Sequence, residues 1–61
     1  MQKHIPTLTL VYYKEAGYAY RYDDADGTTQ EQGMFTTLDS AMGDAVRHLK
    51  TFTLLEGIEE A

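Results

Sequence analysis

The chain has 61 residues, no cysteine, a hydrophobic content of 43% and a formal net charge of -5, from ten carboxylates against five bases. That length supports one domain with a small core and marginal stability; without thiols, neither disulfides nor thiolate zinc sites can reinforce it, and a reducing, cytoplasmic setting is expected. The acidity argues against direct binding of nucleic acid, whose affinity depends on Lys and Arg neutralising phosphates, and no apolar run approaches the roughly 20 residues of a membrane span.

Lys3 and His4 lead into Pro6 and a threonine-interrupted pattern, which is not the make-up of a secretory signal. Thr7 to Tyr13 then alternates, with Leu8, Leu10 and Tyr12 on one face and Thr7, Thr9, Val11 and Tyr13 on the other, so a strand is expected over 7–13. Lys14-Glu15-Ala16-Gly17 has the length and the glycine of a hairpin loop. A second strand over 18–22 resumes the period of two, placing Tyr18, Tyr20 and Tyr22 on one face. The register of the first hairpin decides where that face points, because a slip of one residue exchanges the two faces; the inward orientation is the one expected. Asp23-Asp24-Ala25-Asp26-Gly27 is turn chemistry. It should return the chain as a third antiparallel strand over 28–34, polar on both faces and suited to a sheet edge.

From Leu38 the period changes. Leu38, Ala41, Met42, Ala45, Val46 and Leu49 form one stripe of an amphipathic helix, with Thr37 as its N-cap and Arg47, His48 and Lys50 toward its negative end. Gly57 is a candidate C′ residue for a helix reaching Glu56, with Ile58 folding back toward Phe52. Thr51-Phe52-Thr53-Leu54 is β-branched and alternating, which leaves a short fourth strand as the alternative. The helix, over about 38–55, is the reading taken, and Glu59-Glu60-Ala61 is expected to fray. The expected class is α+β: a three-stranded antiparallel sheet in the order β-β-β-α, packed on one helix.

Chemistry is constrained mainly by what is missing. With Gly27 at the sixth position of a calcium loop, the first would be Tyr22 and the twelfth Gly33, neither of which is a ligand. His4 and His48 are the only histidines; Asp44 precedes His48 by one helical turn, as in an ordinary surface pair. Ser40 is the sole serine and sits in the first turn of the helix, so no catalytic triad is legible. The five glycines are dispersed and make no phosphate-cradling loop. No catalytic, cofactor or metal site is assigned, and an enzyme is not expected.

The positive signal is the crowding of Tyr12, Tyr13, Tyr18, Tyr20 and Tyr22 next to the acidic turn. Tyrosine offers large, rigid, amphipathic contact area, and neighbouring carboxylates select a basic partner. Tyr13 and Tyr20 are the candidate contact residues, with Asp23, Asp24, Asp26 and Glu31 as phosphate surrogates. The expectation is a small acidic inhibitor that occupies a basic, nucleic-acid-binding surface on a nucleic-acid-processing protein. Two other roles stay open: acidity that serves solubility alone, and a homo-oligomeric structural module or homodimer joined through the sheet.

The segment Gln30-Glu31-Gln32-Gly33-Met34-Phe35-Thr36-Thr37-Leu38-Asp39-Ser40-Ala41, followed by Ala45 and Leu49, resembles the strand-to-helix junction of HicB-like antitoxin domains. Gly17-Tyr18 falls where that family opens its second strand. The resemblance covers about half the chain; two extra residues separate Gly33 from Thr37, and the family's Pro-x-Leu-Pro-Gly stretch is absent. It implies a β-β-β-α arrangement and neutralisation of a small ribonuclease toxin. In size and charge alone the chain is similar to phage-encoded anti-CRISPR inhibitors.

Overall fold

The alternation at the start of the chain does form a strand, β1 (Thr7–Tyr13), which turns through Lys14–Ala16 into β2 (Gly17–Asp23). The computed structural model describes residues 4–61; Lys3, one of the five bases, lies outside them. The antiparallel register sets Leu8 opposite Tyr22, Leu10 opposite Tyr20 and Tyr12 opposite Tyr18, so the second-strand tyrosines share the face of the core leucines. The acidic turn leads to β3 (Thr29–Phe35), which pairs antiparallel with β2 and carries an irregularity between Gln32 and Phe35. As its polarity foretold, β3 is an edge strand, exposed at every position before Phe35.

The helix α1 (Leu38–Leu49) begins where Thr37 accepts a hydrogen bond from the Ser40 backbone N–H at 3.1 Å. It ends earlier than the expected 38–55. Lys50 adopts a left-handed backbone, φ 66°, and its N–H closes on the Val46 carbonyl at 3.0 Å. Gly57 is therefore not a helix cap. Residues after Thr51 form a fourth strand instead, β4 (Thr53–Glu60), which runs parallel to β1 at the far edge of a sheet ordered β3-β2-β1-β4. Thr51, Phe52 and Thr53 are poor helix formers whose branched or aromatic side chains suit a pleated surface, and the alternation noted there wins over the glycine signal.

Leu55, Glu56 and Gly57 stand opposite Thr9 alone, a bulge in which Gly57 takes φ 86°. Nor does the end of the chain fray. Thr53 N–H bonds the Pro6 carbonyl at 2.8 Å and Ala61 N–H bonds the Tyr12 carbonyl at 2.9 Å, tying β4 to β1 at both ends. The fold is α+β, as expected, with one helix on a mixed four-stranded sheet and a fourth strand beyond the β-β-β-α plan.

Leu8, Leu10, Tyr20, Ala41 and Ala45 form the buried core, ringed by half-buried Tyr18, Tyr22, Phe35, Leu38, Met42, Leu49 and Phe52. The helix meets the sheet with alanines, which lets it approach closely and leaves the volume to the tyrosines opposite. It crosses β2 and β3 and does not reach over β4. Val46, on the edge of its stripe, is left half exposed. Among the described residues no helix is long and apolar enough to cross a membrane.

Candidate partner-binding surface

One sheet face is covered by α1; the other is open. Period-two alternation puts Thr7, Thr9, Val11 and Tyr13 of β1 on that open face, with Ala19, Arg21 and Asp23 of β2 beside them. Glu31 of β3 and Glu59 of β4 join the same face by their pairing with Arg21 and Val11. Yet Val11 and Ala19 are both fully buried.

Their cover is made of polar side chains that reach across strands. The Tyr13 hydroxyl donates to Glu31, with its two oxygens at 2.9 and 2.8 Å, and to get there it must cross β2 at Ala19. Arg21 donates from Nε to Glu31 at 3.3 Å and from Nη1 to Glu59 at 3.0 Å, a span that crosses β1 beside Val11. Tyr13, Arg21, Glu31 and Glu59 thus link all four strands over an apolar floor. Long charged side chains commonly lay their stems on apolar surface in this way.

The Glu31 hydrogen bond, aided by desolvation, raises the Tyr13 phenol above its ordinary pKa. The bond to Glu59, with those to Tyr13 and Glu31, outweighs desolvation and raises that of the Arg21 guanidinium. The cluster holds two carboxylates for one guanidinium and is acidic on balance. Further along the same face, Thr7, Thr9, Arg21, Asp23 and Thr29 line a shallow depression of about 230 Å³.

The six residues singled out in the sequence separate accordingly. Tyr13, Glu31 and Asp23 share the open face. Asp23 also has structural work there, accepting from the Thr7 backbone N–H and lying 3.6 Å from His4 Nε2. Tyr20 does not belong with them: it is fully buried on the opposite face, where its hydroxyl donates to Asp44 at 2.6 Å, so it offers a partner no area. Asp24 holds the turn by accepting from the backbone N–H groups of Asp26 and Thr28, at 2.9 and 3.0 Å, and from the Gln30 amide at 3.3 Å. Asp26 stands exposed at the turn.

Glu59 is hidden from sequence reasoning when the end of the chain is taken as helix and frayed tail, and Arg21 with it, since its bridge from Glu31 to Glu59 exists only once β4 is in place. The strand signal at Thr51 to Leu54 was the clue that would have brought Glu59 to the sheet. The two histidines do other work. His48 Nε2 lies 3.1 Å from the Tyr22 hydroxyl, and Asp44 engages Tyr20 and Arg47. Among the described residues no group of three or more potential metal ligands gathers.

The Asp24 carboxyl sits below its ordinary pKa of 3.8. Desolvation pulls upward, but the hydrogen bonds from Thr28, Gln30 and Asp26 and the nearby His4 outweigh it. A depressed carboxylate contributes stability that is present above its unfolded-state value and lost as pH falls through the folded one. Asp24→Asn keeps one acceptor oxygen and removes the charge. Its stability deficit against the parent, from urea denaturation, is therefore expected to shrink below pH 3.8; a deficit constant with pH would contradict this account of the turn.

Comparison of the chain with protein-family models, with curated proteins and with solved structures finds no match.

Proposed function

We propose that this protein is a small acidic binding module that blocks a basic, nucleic-acid-binding surface on a partner protein. The observation that carries the reading is the open sheet face. There a tyrosine, an arginine and two glutamates are locked to one another across four strands, with Asp23 farther along the same face. Tyrosine and arginine are the residue types that anchor protein interfaces. Side chains already held in place lose little further freedom when a partner docks.

Glu31, Glu59, Asp23 and the exposed Asp26 supply the negative charge that a phosphate backbone would present to the same partner. Basic grooves attract such a surface at long range, so association should weaken with salt. Nucleases of the kind met by anti-CRISPR proteins, and the small ribonucleases that antitoxins neutralise, both offer grooves of this chemistry.

Charge reversal tests the assignment, and the structure tells which positions are clean. Asp23 and Asp24 hold backbone N–H groups, so changing them confounds binding with folding. Asp26 and Tyr13 are better placed. Asp26→Lys and Tyr13→Phe, the latter keeping the ring over Ala19, are expected when combined to weaken partner capture from cell lysate by about tenfold at low salt, with an unchanged circular dichroism spectrum. Capture unaffected by the pair would remove the open face and turn from the interface.

A further inference from the structure

β4 ends the sheet, and its outer backbone edge has no partner among the described residues. Every one of its residues is exposed, including Leu54, Leu55 and Ile58 at 45, 48 and 42%. Leu54 and Ile58 pair with the core residues Leu8 and Leu10 and so lie on the helix side of the sheet. The helix does not cover them, because it runs over β2 and β3. The opposite edge differs: β3 is mainly polar and flanked by the helix, with Met34 its one half-exposed large apolar side chain. An edge strand with open hydrogen-bonding groups and exposed aliphatic side chains is a template for another strand.

Charge decides which strand. β4 contains Glu56, Glu59 and Glu60 and no base. Glu59 is turned to Arg21, while no ion pair among the described residues engages Glu56 or Glu60. A second copy would lay two such acidic strands together, in chains each carrying a net charge of -5. Like charges across a strand pair are destabilising, and the bulge at Leu55 to Gly57 adds a further obstacle to self-pairing. A segment that mixes aliphatic residues with Lys or Arg meets both features. Its apolar side chains cover Leu54 and Ile58, a cation next along the same face meets Glu60, which pairs with Tyr12 and so shares that face, and another approaches Glu56 at the bulge.

We propose that the outer edge of β4 receives, by strand addition, an extended basic and aliphatic segment of the partner protein. This rests on the reading of the partner as basic, and adds to the open face a second, backbone-directed contact.

The test is an amide NMR titration of the full chain with a synthetic peptide of Lys and Val, about ten residues long so as to span β4, with valines and then a lysine along the face that meets Leu54, Ile58 and Glu60. A Glu–Val peptide of equal length is the control. The Lys–Val peptide is expected to shift the amides of Leu54 to Glu60 and to slow their exchange with solvent. Reversing both carboxylates, Glu56→Lys with Glu60→Lys, should weaken that binding about tenfold. Shifts confined to Tyr13, Glu31 and Asp23 would overturn the edge proposal while leaving the open-face reading intact. Equal binding of the Glu–Val peptide, no response to either peptide, or concentration-dependent dimerisation through β4 without peptide would each overturn the edge proposal. Partner capture under charge reversal judges the broader reading separately.

Discussion

Tyr20→Ala is expected to leave the chain without a stable folded state. Tyr20 is the largest fully buried side chain, and it packs among Leu8, Leu10, Ala41 and Ala45 with its ring 6.0 Å from those of Tyr22 and Phe35. Truncating a buried aromatic residue costs about 3–5 kcal/mol, while a domain of this length has a total stability on the order of 3–9 kcal/mol. Loss of the melting transition in circular dichroism is the expected result. A folded Tyr20→Ala protein that merely failed to bind would instead return Tyr20 to the interface.

The conservative change separates packing from hydrogen bonding. Tyr20→Phe keeps the ring and deprives Asp44 Oδ2 of its donor, Arg47 still reaching Oδ1, at a cost of about 1–2 kcal/mol. It should also alter the response to alkali. Burial first, then the Asp44 hydrogen bond and charge, push the Tyr20 phenol above its ordinary pKa of 10.0. A raised folded-state value means that its contribution is fully present below the unfolded-state pKa and declines as pH rises beyond it. The parent therefore loses stability above pH 10.0, and the Phe variant should lack that component of the loss.

Gly17→Ala is the second large effect. Gly17 opens β2 at φ 125°, a region that side-chain-bearing residues rarely enter, and a Cβ there would sit 2.4 Å from the Phe35 carbonyl oxygen. The obstacle is backbone of a paired strand, which cannot move aside as a flexible side chain would. A loss of about 3 kcal/mol or more is expected, measured as a fall in the urea midpoint with unchanged slope. Gly43→Ala is the internal control. Its new methyl meets open space within a helix, and the exchange should stabilise by up to about 1 kcal/mol.

Local signals were sufficient for β1, β2, the acidic turn and the start of α1, because each is dictated by a period or a cap within a few residues. The facing of Tyr18, Tyr20 and Tyr22 was legible only as an expectation, since it depends on hairpin register, and the pairing of Tyr20 with Leu10 bears it out. The end of the helix was not legible: Gly57 offered a cap, whereas the chain uses Lys50 in a left-handed conformation and spends Gly57 on a strand bulge. That misplacement hid Glu59 from the candidate surface. Tyr20 was misassigned for a related reason, because composition shows a tyrosine's amphipathic character without showing which of its ends is buried. Asp24 looked like free charge and proves to be a structural acceptor, a role that only the turn geometry reveals.

The most direct measurement is competition between this protein and nucleic acid for a partner captured from cell lysate, followed over a salt series. Added oligonucleotide is expected to displace the protein, the protein to displace bound oligonucleotide in return, and both associations to weaken as salt rises. A partner that binds oligonucleotide and this protein simultaneously, with an affinity indifferent to salt, would contradict the proposed function.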